Sequence, residues 1–167
     1  MVSFTVAAGN GDSGSSAGVS GSVKLLQRDW TSVTIEYEIR GLAPGSTHGF
    51  HVHQTADFSD SCASTGGHYN PTGASHSSPS SVSRHAGDLG NVVAGLDGVA
   101  RGTMVDTVLR LIGPTSVLGR AIVLHEGADD LGLGGFSDSL TTGHAGSRLA
   151  CGEIVEACGL GRCGYWW

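Results

Sequence analysis

The chain has 167 residues, enough for one domain with a buried core; 39% of them are hydrophobic and only 14% are charged. The formal net charge is −6, and Lys24 is the only lysine among nine basic residues. That balance argues against nucleic acid or an anionic membrane as partner.

The 28 glycines are more than twice the usual share and point to short strands joined by many turns. From the N-terminus, 2-VSFTVAA, 18-GVSGSVKLLQ and 32-SVTIEYEIR read as strands, with 9-GNGDSGSSAG as a polar connection. In the third, Val33, Ile35, Tyr37 and Ile39 alternate with Ser32, Thr34, Glu36 and Glu38, the period of a half-buried strand. The next strand carries 48-HGFHVH. Alternation puts His51 and His53 on one face and Phe50 and Val52 on the other, and His48 at the start is assigned structural hydrogen bonding.

Residues 55–90 are rich in Ser and Gly and have no sustained periodicity. A loop of roughly 30 residues inside a compact domain usually means function or disorder. Strand patterns resume at 91-NVVAGLDGVARGTMVDTVLRL, 117-VLGRAIVLHE and 149-LACGEIVEA, with a second Gly-rich loop at 127-GADDLGLGGFSDSLTTGHAGSR. There is no helical periodicity, no internal repeat, no apolar run long enough to cross a bilayer, and no signal-peptide pattern in MVSFTVAAGN. The chain is expected to be all-β, an antiparallel barrel or sandwich with two long loops that carry the chemistry. One domain spans residues 1–157, and 158–167 form a tail.

The histidines and cysteines narrow the chemistry. His68, His76, His85 and Asp88 make a tetrahedral set of three imidazoles and one carboxylate, suited to zinc. His51, His53, His125 and one shared imidazole make an all-nitrogen set suited to Cu(II). On these residues alone a second reading stays open: a single loop histidine is more often a solvated side chain, and a strand histidine a hydrogen-bonded core residue. Cys62, Cys151, Cys158 and Cys163 contain no CxxC pair, which argues against thioredoxin-like chemistry and all-cysteine zinc sites while permitting two bridges.

The runs 49-GFHVH, 66-GGHYNP, 84-RHAGDLGNV, 119-GRAIVLHE, 129-DDLG and 141-TTGHAGSRLACG resemble the copper/zinc superoxide dismutases, in order, across roughly residues 18–155. The resemblance implies a Greek-key barrel of about eight strands, with a zinc/disulfide loop and an electrostatic loop. It implies that His51, His53 and His125 hold copper, that His68 bridges copper and zinc, and that His76, His85 and Asp88 complete the zinc site. Asp129 matches the carboxylate that orients His51 and His76. Arg148 matches the arginine that guides and binds superoxide beside copper, and Cys62–Cys151 matches the disulfide. Copper and zinc are then the cofactors, superoxide the substrate, and a copper chaperone and a homodimer the implied partners.

The chain also departs from the family pattern. Gly127, Leu133 and Thr141 stand where lysines of the electrostatic loop are expected, and Phe136 adds an apolar group. Electrostatic guidance is therefore expected to be reduced and to rest on Arg148 and the metals. Gln54, Thr55 and Ala56 follow HVH without an aromatic, and Glu153 and Glu156 interrupt the apolar run after ACG. Like charges near a two-fold axis repel, so the dimer is expected to be weakened or rearranged, although Leu118 still suits an apolar contact. His144 replaces an asparagine and is read as a tolerated loop substitution. A Cys158–Cys163 bridge would fit an oxidising compartment, leaving cytoplasmic and secreted locations open with a lean to the latter. Two alternatives complete the reading: a copper-delivery protein with a dismutase-like domain, and a non-catalytic metal-binding domain.

Overall fold

The computed structural model describes residues 2–7 and 18–156. The Cys158–Cys163 pair, the terminal tryptophans and most of the 9-GNGDSGSSAG connection lie outside the described residues.

Two four-stranded antiparallel sheets form the domain. The first contains β1 (Val2–Ala7), β2 (Ser20–Gln27), β3 (Val33–Arg40) and β7 (Ala100–Asp106), in the order β1-β2-β3-β7. The second contains β4 (Thr47–His53), β6 (Asp88–Val93), β8 (Ala121–His125) and β9 (Arg148–Glu153), in the order β6-β4-β8-β9. The chain crosses between sheets after β3, after β6 and after β7, the Greek-key connectivity that lets both sheets share one core. A short strand, β5 (Ser59–Cys62), and a 3₁₀ turn (Ala63–Thr65) break up the first long loop, and one helical turn, α1 (Ser139–Thr142), breaks up the second.

The alternation expected in the third segment produces β3: Val33, Ile35 and Ile39 are buried while Glu36 faces solvent. Leu25 from β2 and Phe50 and Val52 from β4 meet them in the core. Burying each such side chain contributes about 1.5–3 kcal/mol. The run 91–111 does not remain a strand to its end, because the Asp106 carboxylate accepts the backbone N–H groups of Val108 (2.8 Å) and Leu109 (2.6 Å) and turns the chain out of β7.

The second sheet is covered on both faces. In its register Phe50 lies opposite Leu124 and Val52 opposite Ile122, all core residues, whereas His51 lies opposite Val123 and His53 opposite Ala121. That outer face holds a smaller cluster of Cys62, Ala121, Val123 and Cys151, with Phe58 against it. The Cys62–Cys151 disulfide closes a sequence separation of 89 residues and ties the first loop to β9. The chain-entropy model gives such a closure ~4–5 kcal/mol.

Candidate metal centre

Six histidines and one aspartate converge on the outer face of the second sheet. His51 and His53 come from β4, His125 from the end of β8, Asp88 from the start of β6, and His68, His76 and His85 from the first loop. All seven are buried. The candidate ligand atoms of His51, His53, His68 and His125 lie within 4.8 Å of one another, as do those of His68, His76, His85 and Asp88. His68 belongs to both sets, so the structure brings together the two groups that the spacing suggested.

The hydrogen bonds fix which nitrogen of each ring is available. His53 Nδ1 donates to the Gly66 carbonyl at 2.9 Å and His125 Nδ1 to the Gly146 carbonyl at 3.0 Å. A carbonyl can only accept, so each Nε2 is left as a bare lone pair. Those two Nε2 atoms face one another at 3.2 Å, an arrangement that favours a cation between them. His51 Nε2 donates to Asp129 Oδ2 at 2.8 Å, and its Nδ1 is buried without a partner. His68 Nε2 is likewise buried without a partner on the side of this set.

The second set repeats the pattern around a carboxylate. His76 Nε2 donates to Asp129 Oδ1 at 2.8 Å and His85 Nε2 to the Ala74 carbonyl at 3.1 Å. Their Nδ1 atoms and that of His68 then point at a single oxygen, Asp88 Oδ1, at 2.9 Å (His76), 3.1 Å (His85) and 2.9 Å (His68). His76 Nδ1 lacks the alignment of a hydrogen bond despite that distance. Asp88 Oδ2 is held by the backbone N–H groups of His85 at 2.9 Å and Ser77 at 3.2 Å. With its Nε2 donating to a carbonyl, a neutral His85 can only aim a lone pair at that carboxylate oxygen, which is costly without a cation between them, and three imidazoles plus one carboxylate is a zinc donor set.

Electrostatics separate the two sets. Burial pushes His51 down to about 3, although Asp129 partly opposes it. Burial also pushes His125 down to about 4, and it lowers His53 and His68. His76 goes the other way: burial would lower it, but Asp129 and Asp88 together outweigh burial and raise it to about 9. Burial opposes ionisation of Asp88 and Asp129 as well, yet the imidazoles around them hold both carboxyls well below the usual range.

Asp129 joins the two sets by accepting from one ring of each. Gly143, at φ +66°, makes room for this contact, since a Cβ there would come within 2.1 Å of Asp129 Oδ1 and 2.7 Å of His76 Nε2. The neighbouring Asp130 is engaged elsewhere, by Ser139 Oγ and the Gly132 N–H, so its proximity to His76 does not make a third site. His48 donates or accepts only structurally, between Ser46 Oγ (2.7 Å) and the His125 carbonyl (2.8 Å). His144 lies outside both sets. It pairs with Asp138 at 2.7 Å and stacks on Phe136, with ring centroids 3.8 Å apart.

Arg148 opens β9 opposite His125. Its Nη1 donates to the carbonyls of Cys62 (2.6 Å) and Ala63 (2.7 Å) and to Thr65 Oγ1 (3.0 Å), and its Nη2 donates to the Gly66 carbonyl (2.6 Å). A guanidinium has five N–H donors, so Nε–H and one Nη2–H are not used by these contacts. The Arg148 charge helps to hold His53 and His125 down, and the side chain lines a surface depression with Asp60, Ser61, Gly146 and Ser147. Residues not singled out from sequence also hold the site. Arg84, itself buried, donates to the carbonyls of His85 (3.0 Å) and Asp88 (3.1 Å) and pairs with Asp106.

The family model described as copper/zinc superoxide dismutase matches residues 19–154. A protein of Candida glabrata named superoxide dismutase [Cu-Zn] is 50% identical over 140 residues, covering 83% of this chain and 91% of its own. A crystal structure titled as that of the clock protein EA4 superposes with a TM-score of 0.83 at 41% identity, covering 93% of this chain and 94% of its own.

Proposed function

The chain belongs to the copper/zinc superoxide dismutase family, and from that premise we infer which of its residues carry the reaction. It is an oxidoreductase that converts two superoxide anions and two protons to O₂ and H₂O₂, with copper and zinc as cofactors. His51, His53, His68 and His125 hold copper, and His68, His76, His85 and Asp88 hold zinc. Copper supplies one-electron chemistry by alternating between two oxidation states, and zinc, which is redox-inert, supplies fixed charge and order.

The observation that carries this assignment is the position of His68. It is the one ring whose two nitrogens face different donor sets, Nδ1 toward Asp88 and Nε2 toward the all-imidazole group. His68 Nε2 is therefore the atom that holds a proton and delivers it to the nascent peroxide. Arg148 turns its two unused N–H groups to the incoming anion, and their planar spacing suits a diatomic. The four contacts to residues 62–66 keep that side chain in place. Asp129 holds the tautomers of His51 and His76, so that each presents Nδ1.

The test is superoxide consumption by protein reconstituted with both metals, with His68→Ala alongside. High activity in the parent and its loss in the variant is the expected result; an inactive parent with both metals bound overturns the assignment. A copper-delivery role is not favoured, because the first set has its full complement of imidazoles and the chain contains no CxxC.

Three finer readings belong to the same proposal. Leu133 and Thr141 are exposed on the second loop where, with Gly127, guidance charges are expected, and Phe136 is exposed beside them, so the rate should fall only weakly with ionic strength; a steep fall would contradict this. Glu153, Val155 and Glu156 are exposed together with Leu118, which supports a weakened or rearranged dimer. Sedimentation showing a tight dimer would count against it. An oxidising compartment rests on Cys158 and Cys163, and peptide mapping that finds both as thiols in the protein as isolated would remove that support.

A further inference from the structure

Residues 52–55 and 65–69 run antiparallel as a narrow ribbon. Gln54 N–H donates to the Gly67 carbonyl (2.9 Å), Thr55 N–H to the Thr65 carbonyl (3.1 Å) and Tyr69 N–H to the Val52 carbonyl (2.8 Å). His53 and His68 pair across this ribbon, and their ring centroids are 5.3 Å apart. Each of its two strands thus carries one of the proposed copper ligands, and only a few backbone hydrogen bonds fix their separation.

Arg120, one residue before β8, grips both strands of the ribbon without touching either histidine. Its Nη1 donates to the Gln54 carbonyl at 2.6 Å, directly after His53. Its guanidinium carbon lies 3.6 Å from the centroid of the Tyr69 ring, directly after His68. The Nε–H donates to the Ser116 carbonyl at 3.2 Å, which anchors the side chain to the turn before β8. Alternation along each strand directs Gln54 and Tyr69 away from the face of His53 and His68, so Arg120 works from behind the site. Tyr69 is buried, with 7% exposure, and a cation over a ring shielded from water is held more strongly than one at the open surface. The Arg120 backbone also accepts the Ile154 N–H at 2.8 Å, so the grip extends to the chain beyond β9.

We propose that Arg120 is a positioning residue for copper, setting the spacing of His53 and His68 through the Gln54 carbonyl and the Tyr69 ring. The proposal rests on the ligand assignment above. A planar cation is required because one face must lie on the ring while an in-plane N–H reaches the carbonyl. Lysine offers only a point charge. The zinc set keeps His76, His85 and Asp88, none of which Arg120 contacts, so copper should feel its loss more than zinc.

The experiment measures Cu(II) and Zn(II) affinities by chelator competition, and the Cu(II) electron paramagnetic resonance spectrum, in the parent, Arg120→Met, Arg120→Lys and His68→Gln proteins. Arg120→Met should weaken Cu(II) by about tenfold, as loss of a supporting contact to a ligand does, with altered copper hyperfine splitting and Zn(II) affinity within about twofold of the parent. Arg120→Lys should fall between Arg120→Met and the parent, and it serves as the probe if Arg120→Met does not fold. Parent-like copper spectra and affinity in a folded variant overturn the proposal, as does an equal loss of both metals. His68→Gln separates the two levels: if it too leaves copper binding intact, the ligand assignment itself has failed.

Discussion

The two donor sets share His68 but are built by opposite means. The proposed copper set is strand-borne and neutral: His51, His53 and His125 sit on β4 and β8, and carbonyls of Gly66 and Gly146 fix two of the tautomers. The proposed zinc set is largely loop-borne and charged: His76 and His85 gather around the Asp88 carboxylate. A rigid sheet can hold bare lone pairs close together before any metal arrives. The loop histidines gather instead around an anion at their centre. The contrast suits a metal that must change oxidation state in a fixed frame beside one whose task is to order a loop.

The sharpest way to break that comparison is to remove the anion. Asp88→Ala should weaken Zn(II) by more than ~100-fold and Cu(II) by less than ~10-fold, since it removes a direct ligand from one set only. Equal losses, measured by metal competition, would mean that the sets are not separately built. Asp129→Asn comes next. The single amide oxygen can accept from His51 or from His76 but not from both, so at least one metal should lose roughly 10–100-fold in affinity; parent-like affinity for both metals would show that neither bond matters.

The smallest effect is on the metal-free protein, and the sets should respond to pH with opposite signs. His51 and His125 have folded values of about 3 and about 4, below the ordinary value of 6.5. Their contribution to stability is complete above 6.5 and is lost as pH falls through that window. His76 is raised to about 9, so its contribution is complete below 6.5 and is lost as pH rises through about 9. The melting temperature of chelator-treated protein should therefore decline on both sides. A melting temperature that rises continuously toward acid would contradict the neutral character of the copper set.

How much of this the sequence disclosed depends on what faces each strand. The alternation in β3 is legible because one of its faces meets water, as Glu36 does. In β8 every residue from Ala121 to His125 is buried, because the loop carrying His68, His76 and His85 covers the outer face, and no period of two survives. The grouping of the histidines and Asp88 into two clusters was legible from their spacing and from the resemblance. The partners that fix them were less so: Gly66, Gly146 and Ala74 act through carbonyls, which every residue has. Arg84 and Arg120 act on backbone close to ligands far from them in sequence, so no local motif marks them. The helical turn at Ser139–Thr142 and the short strand Ser59–Cys62 were likewise hidden, because each is too short to establish a period.

The central claim is that one imidazole, His68, belongs to both sets. It is tested most directly by placing Cu(II) in both sites and recording the electron paramagnetic resonance signal. A shared imidazolate couples the two unpaired electrons, so the signal should be strongly diminished in the parent and restored in His68→Ala with both coppers bound. Two independent Cu(II) signals of full intensity in the parent would contradict the account.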